Sequence, residues 1–157
     1  MKIQTSEQFH NAFQVIENNA DGNCLFESLE YLLQNVMSVS NTASEIREMV
    51  GNFYRNFDKD INYPESTIEY IIKIGNIFDN MDDDMQHDYN IWNDKSWASM
   101  TDVLICSLMF EININLYKYN KESNTYHLEE IKSQYNFTET INILYNGTNH
   151  FEALVKL

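Results

Sequence analysis

The chain is poor in the residues that break, staple or anchor a fold. It has one proline, Pro64, and four glycines among 157 residues, so no Pro- or Gly-rich linker divides it. Its two cysteines, Cys24 and Cys106, are too few for a disulfide framework, which points to a reducing compartment, the cytosol. No apolar run has the length of a membrane span, and the Met1 to Gln14 stretch lacks the apolar region of a signal peptide. Lysine and arginine total 10 against 24 acidic residues, a net charge of −14 that repels a phosphate backbone and argues against nucleic acid as a partner. The same field attracts basic proteins or peptides, and it also serves plain solubility.

What is present is ample material for a core. A hydrophobic content of 43% with 13% aromatic residues excludes wholesale disorder, and 157 residues suit one domain, residues 1–157, without metal or disulfide staples. We expect a monomer. There is no internal repeat and no charge block long enough to be a tail.

Helical signals come first along the chain. Thr5-Ser6-Glu7-Gln8 fits a capping box, after which Phe9, Ala12, Phe13 and Ile16 recur at helical spacing. Asn18 to Asn23 interrupts that pattern. From Cys24, the positions Leu25, Leu29, Leu32 and Val36 mark a second helix with an inward face. Thr42-Ala43-Ser44-Glu45 is another capping box, leading a third helix through Ile46, Met49, Val50, Phe53 and Phe57. A fourth helix is expected from Pro64 to about Phe78, with proline in the first turn, and the acidic stretch Asp79 to Asn90 reads as a solvated loop. Helical spacing resumes over Trp97 to Phe110. Strands are then expected at Ile112 to Tyr119, Tyr126 to Ile131, Thr140 to Tyr145 and His150 to Val155. Helices leading and strands closing imply an α+β domain whose small sheet packs against the earlier helices.

Cys24 stands out by its place. It follows Asp21, Gly22 and Asn23 and falls in the first turn of the second helix, where unpaired N–H groups and the positive end of the helix dipole favour a thiolate. Gly22 gives the preceding loop the freedom to turn its N–H groups toward a carbonyl oxygen that gains charge during attack. A cysteine nucleophile needs a base. Of the four histidines, His10, His87 and His127 read as surface residues, whereas His150 opens the last strand after the turn Asn146-Gly147-Thr148-Asn149. Cys106, inside Leu104-Ile105-Cys106-Ser107-Leu108, reads as a small core residue.

Asp21-Gly22-Asn23-Cys24-Leu25-Phe26 resembles the nucleophile motif of the ovarian-tumour (OTU) cysteine proteases, and Asn149-His150-Phe151-Glu152-Ala153-Leu154 resembles their terminal histidine motif. Between them, Trp97, the segment Asp102 to Leu108 and the strand Ile112 to Tyr117 are similar to the family's tryptophan-led helix and following strand. The resemblance implies a papain-like OTU fold, a small, mostly antiparallel sheet packed between helices. It implies a deubiquitinase, acting on ubiquitin or polyubiquitin without metal or other cofactor, in the host cytosol should the source be an intracellular bacterium or a virus. By motif position, Cys24 is the nucleophile, His150 the general base and acid, and the backbone from Asp21 to Cys24 the oxyanion site. Where the family usually carries Asp or Asn two residues after its histidine, this chain has Glu152. Strand alternation puts Glu152 on the face of His150, and it is the preferred third member, with Asp21 as competitor. Asn149 either orients the ring, helps the oxyanion or simply makes the turn. Two other readings are a catalytically weak OTU-like module that binds ubiquitin and a cysteine hydrolase acting on another amide or ubiquitin-like modifier.

Overall fold

A computed structural model describes residues 2–18, 22–56, 100–131, 137–146 and 150–157. The order of elements is β1 (Lys2–Thr5), α1 (Ser6–Ala12), β2 (Phe13–Ile16), α2 (Cys24–Met37), α3 (Ala43–Asn56), α4 (Met100–Phe110), β3 (Ile112–Asn120), β4 (Thr125–Ile131), β5 (Glu139–Tyr145) and β6 (Phe151–Lys156). The fourth helix expected near Pro64, the acidic loop with His87, and Trp97 lie outside the described residues.

The strands form one six-stranded sheet in the order β1-β4-β3-β5-β6-β2. Among the described strands only the β3–β5 pair is parallel, so the α+β class and the mostly antiparallel sheet expected from the sequence are what is found. The two edge strands are joined by α1 alone. Six strands laid flat would put the edges roughly 24 Å apart, yet a seven-residue helix spans about 10 Å, so the sheet must curl to bring β1 and β2 together. The concave side is filled by Phe9 of α1, which stacks on Tyr126 at 3.8 Å between ring centroids and packs with Phe13, Tyr117, Leu144 and Leu154.

The other face carries the larger core. Leu25, Phe26, Leu29 and Leu33 of α2, Ile46 and Val50 of α3, and Val103 to Cys106 of α4 close on Ile112, Ile114, Leu116, Ile141, Ile143, Phe151 and Ala153. Alternation along the strands sorts these faces: Phe151 and Ala153 point to the helices, and Leu154 to the curl. Cys106 is fully buried in the larger core, as read from the sequence.

Three expectations need correction. Phe13–Ile16 continue no helix; they form β2, paired antiparallel with β6 from Phe13↔Lys156 to Ile16↔Ala153. Strands do not merely close the chain, because β1 and β2 at its start supply both sheet edges. Val36 is 44% exposed, and the seam of α2 runs from Leu33 to the partly buried Met37 instead.

Candidate active site

The loop after β2 hands the chain to α2, and β6 lies against the start of that helix. Residues far apart in sequence therefore meet. The N–H of Phe151 donates to Cys24 Sγ at 3.3 Å, which sets the thiol beside the residue that follows His150. Cys24 itself is 1% exposed and is the first residue of α2; the helical ladder begins with Glu27 N–H donating to Asn23 O at 2.9 Å. The N–H groups of Cys24, Leu25 and Phe26 thus lie ahead of the ladder, at the positive end of the helix dipole.

His150 stands just before β6, not within it, and a tight turn fixes it. Asn146 N–H donates to His150 O at 3.0 Å, and His150 N–H donates back to Asn146 Oδ1 at 3.0 Å. The imidazole turns Nε2 toward Glu152 Oε1 at 3.8 Å, an ion-pair distance once the ring is protonated and beyond hydrogen-bond range. Nδ1 is buried and has no hydrogen-bond partner among the described residues. The two side chains are only 15% and 19% exposed. Burial pushes the Glu152 carboxyl above its ordinary range, His150 pulls it back, and the charge of Glu17 pushes it up again.

The structure therefore brings Cys24, His150 and Glu152 to one place, with Gly22 and Asn23 leading into Cys24. Asp21 and Asn149 lie outside the described residues. The other described histidines sit elsewhere: His10 meets Tyr126 Oη at 3.3 Å and His127 meets Thr125 Oγ1 at 3.1 Å. Among the described residues, no group of three or more His, Cys, Asp and Glu is arranged to hold a metal ion, and no helix is long and apolar enough to cross a membrane.

Two positioning side chains were missed in the sequence. Asn18 Nδ2 lies 3.1 Å from Cys24 O, Ser28 Oγ and Phe151 O, tying the first turn of α2 to β6. Two backbone carbonyls can only accept, so they fix which end of the amide faces them. Nothing in the pattern around Asn18 announces this, because its distant partner is 133 residues away. Asn18→Asp sets a carboxylate against both carbonyl oxygens, and we expect a loss of about 2 kcal/mol or more in urea unfolding together with slower turnover. The other is Arg47, 4% exposed on α3, which donates to Gly22 O and to Asn23 Oδ1. Its signal was there: it lies three residues before Val50, on the inward stripe of α3, where a cation needs a partner.

A cysteine at an open helix start, with a histidine and a carboxylate brought to it by an adjacent strand, is the layout of a thiol hydrolase. Residues 19–151 match the family described as OTU-like cysteine protease, and the chain belongs to that family. Solved structures share the fold. The chain is similar to an OTU deubiquitinase from Wolbachia pipientis wMel bound to ubiquitin, with a TM-score of 0.65 and 17% identity over 92% of this chain and 96% of that one. It is similar to the viral OTU domain protease from Dera Ghazi Khan virus, with a TM-score of 0.67 and 17% identity over 100% of this chain and 87% of that one. The Hazara virus OTU bound to ubiquitin gives 0.63 and 17% over 99% and 87%. No match was found among curated protein sequences.

Proposed function

We propose that this protein is a deubiquitinase that hydrolyses the isopeptide bond at the ubiquitin C-terminus through a thioester on Cys24. The observation that carries the reading is the contact between Phe151 N–H and Cys24 Sγ, which joins the cysteine motif to the histidine motif across 127 residues. With Nε2 turned to Glu152, Nδ1 of His150 is the nitrogen left to take the thiol proton. Cys24 Sγ then bonds to the carbonyl carbon, and backbone N–H groups from Asp21 to Cys24, with those of the first turn of α2, stabilise the oxygen that takes the negative charge. Collapse breaks the C–N bond, and the imidazolium gives its proton to the departing lysine amine. Water, deprotonated by His150, attacks the thioester carbonyl; the free carboxylate leaves and the thiol is restored. Glu152 holds the ring and favours its charged form, with the loop residue Asp21 as the competing partner. No step calls for a metal or other cofactor.

We place the reaction in the cytosol, where both cysteines remain thiols, and the domain works as a monomer on ubiquitin or its chains. Incubation with a panel of ubiquitin dimers of defined linkage tests the reading: cleavage that Cys24→Ala abolishes supports it, and intact dimers at high enzyme concentration refute it. A second reading, a ubiquitin-binding module with little turnover, draws on the 3.8 Å separation of Nε2 and Oε1. Binding without cleavage in the same panel selects it.

The net charge of −14 should assist encounter with the basic face of a partner. Raising the salt from low to about 0.5 M is expected to slow association several-fold and to leave dissociation nearly unchanged. Stopped-flow mixing with labelled ubiquitin measures both, and a salt-independent association rate would remove the charge from the account.

A further inference from the structure

Three helices have a described capping residue, and two of them are sealed. At α1, Thr5 has ψ 163° and accepts from Gln8 N–H at 3.2 Å, while Gln8 Oε1 accepts from Thr5 N–H at 3.0 Å. At α3, Thr42 Oγ1 accepts from Glu45 N–H at 3.1 Å, and Glu45 Oε1 accepts from Thr42 N–H at 3.2 Å. The helix that begins with Cys24 is different. Asn23 is among the best capping residues, yet it has φ −96° and ψ 2° and its side chain does not cap the helix.

Its side chain is engaged elsewhere. Asn23 Oδ1 accepts from Arg47 Nε at 3.0 Å and from Nη2 at 2.7 Å, and the same Nη2 donates to Gly22 O at 2.8 Å. The guanidinium also lies 4.6 Å above the ring of Phe26, so its planar fork is held in place. Pinning the Gly22 carbonyl fixes the peptide plane that enters Asn23, since the bond is trans and planar. In the usual capping geometry the backbone of Asn23 would be extended, and Oδ1 would accept from the N–H of Leu25 or Phe26. Those donors lie one and two residues beyond Cys24.

We propose that Arg47 is a positioning residue for the chemistry of Cys24: it holds Gly22 and Asn23 in a non-capping conformation and so reserves the first-turn N–H groups of α2 for negative charge on Sγ and on the substrate oxygen. The inference rests on the assignment of Cys24 as nucleophile. Without Arg47, Asn23 swings into the ordinary cap, consumes a donor and brings a partial negative charge beside the thiol. Removing the Asn23 side chain as well then reopens the helix.

Two readouts test this in Arg47→Gln, Asn23→Ala and the double variant. One is the pH dependence of Cys24 alkylation by iodoacetamide, followed by mass spectrometry, which needs no ubiquitin. The other is kcat and KM on a ubiquitin substrate. Arg47→Gln is expected to move the alkylation midpoint up by about half a pH unit or more and to lower kcat roughly tenfold, with KM within about threefold. The double variant should regain a good part of both, which loss of structure alone would not produce. Parental midpoint and kcat in Arg47→Gln, or a double variant no better than the single one, overturns the proposal. Should Arg47→Gln fail to fold by circular dichroism, Arg47→Lys, which keeps the charge and loses the fork, is read the same way, and parental behaviour overturns it. A shifted midpoint in a protein that cleaves no ubiquitin would uphold the role of Arg47 while refuting the deubiquitinase reading.

Discussion

Cys24→Ala should lower cleavage by roughly 10⁴-fold or more, leaving only background, while Cys106→Ala stays close to the parent. The two cysteines are both buried, so exposure does not distinguish them. Their surroundings do. Cys24 lies at the positive end of α2, with its sulfur accepting a strand N–H. Cys106 lies inside α4, where burial, and then the charge of Asp102, raises its thiol well above the ordinary range, so its thiolate is not formed at working pH. Cys106→Ala removes one buried sulfur and should cost about 1 kcal/mol of stability, read in urea unfolding. Cys24→Ala deprives Phe151 N–H of its acceptor at a similar cost. Cys24→Ser is the useful companion, because a hydroxyl still accepts that bond and still fails as a nucleophile. A dead Cys106→Ala with an active Cys24→Ala would reverse the assignment of the two thiols.

The second large effect is expected at Glu152. If its carboxylate holds the imidazole, Glu152→Gln keeps the size and loses the charge that favours the imidazolium, and kcat should fall by about 10²-fold or more with KM within roughly threefold. Asp21→Asn should then act weakly, and the double variant should resemble Glu152→Gln. A near-parental rate for Glu152→Gln would hand the role to Asp21 or leave His150 without a carboxylate. Stability should move differently. Burial first, and Glu17 further, raise the Glu152 carboxyl above its ordinary range, with His150 opposing. The folded state thus binds this proton more tightly than the unfolded chain. Its contribution to stability is full below the ordinary carboxylate range and is lost as pH rises through the raised value. At pH 7 the ionised side chain is a net cost, so Glu152→Gln is expected to melt at the same temperature as the parent or slightly higher, and the gain should vanish below about pH 4. Differential scanning fluorimetry across pH checks this; a clear drop in Tm at pH 7 would mean that the ion pair to His150 outweighs burial.

The contrast between α2 and β2 shows what a sequence can and cannot display. In α2 and α3 the apolar period is long enough to be counted, and the Thr42 to Glu45 box marks its start, so both helices were legible. Phe13 and Ile16 extend the helical spacing of Phe9 and Ala12, yet they are a strand because β6 offers a pairing edge more than 130 residues away, from Ile16↔Ala153 onward. A strand of four residues has no room to display a period of two, and the same holds for β1. At the candidate site, Cys24, His150 and Glu152 could be singled out because each sits in a local motif, and the fold brings the three near one another. Asn18 carried no such signal and Arg47 only that of a cation on an apolar stripe, because their partners are backbone and side-chain oxygens brought close only by folding.

The most direct measurement is the reaction of the protein with ubiquitin bearing a thiol-reactive electrophile at its C-terminus, with the adduct mapped by mass spectrometry. One ubiquitin per chain is expected, attached at Cys24, formed by the parent and by Cys106→Ala and absent in Cys24→Ala. No adduct from the folded parent, or an adduct at Cys106, would contradict it.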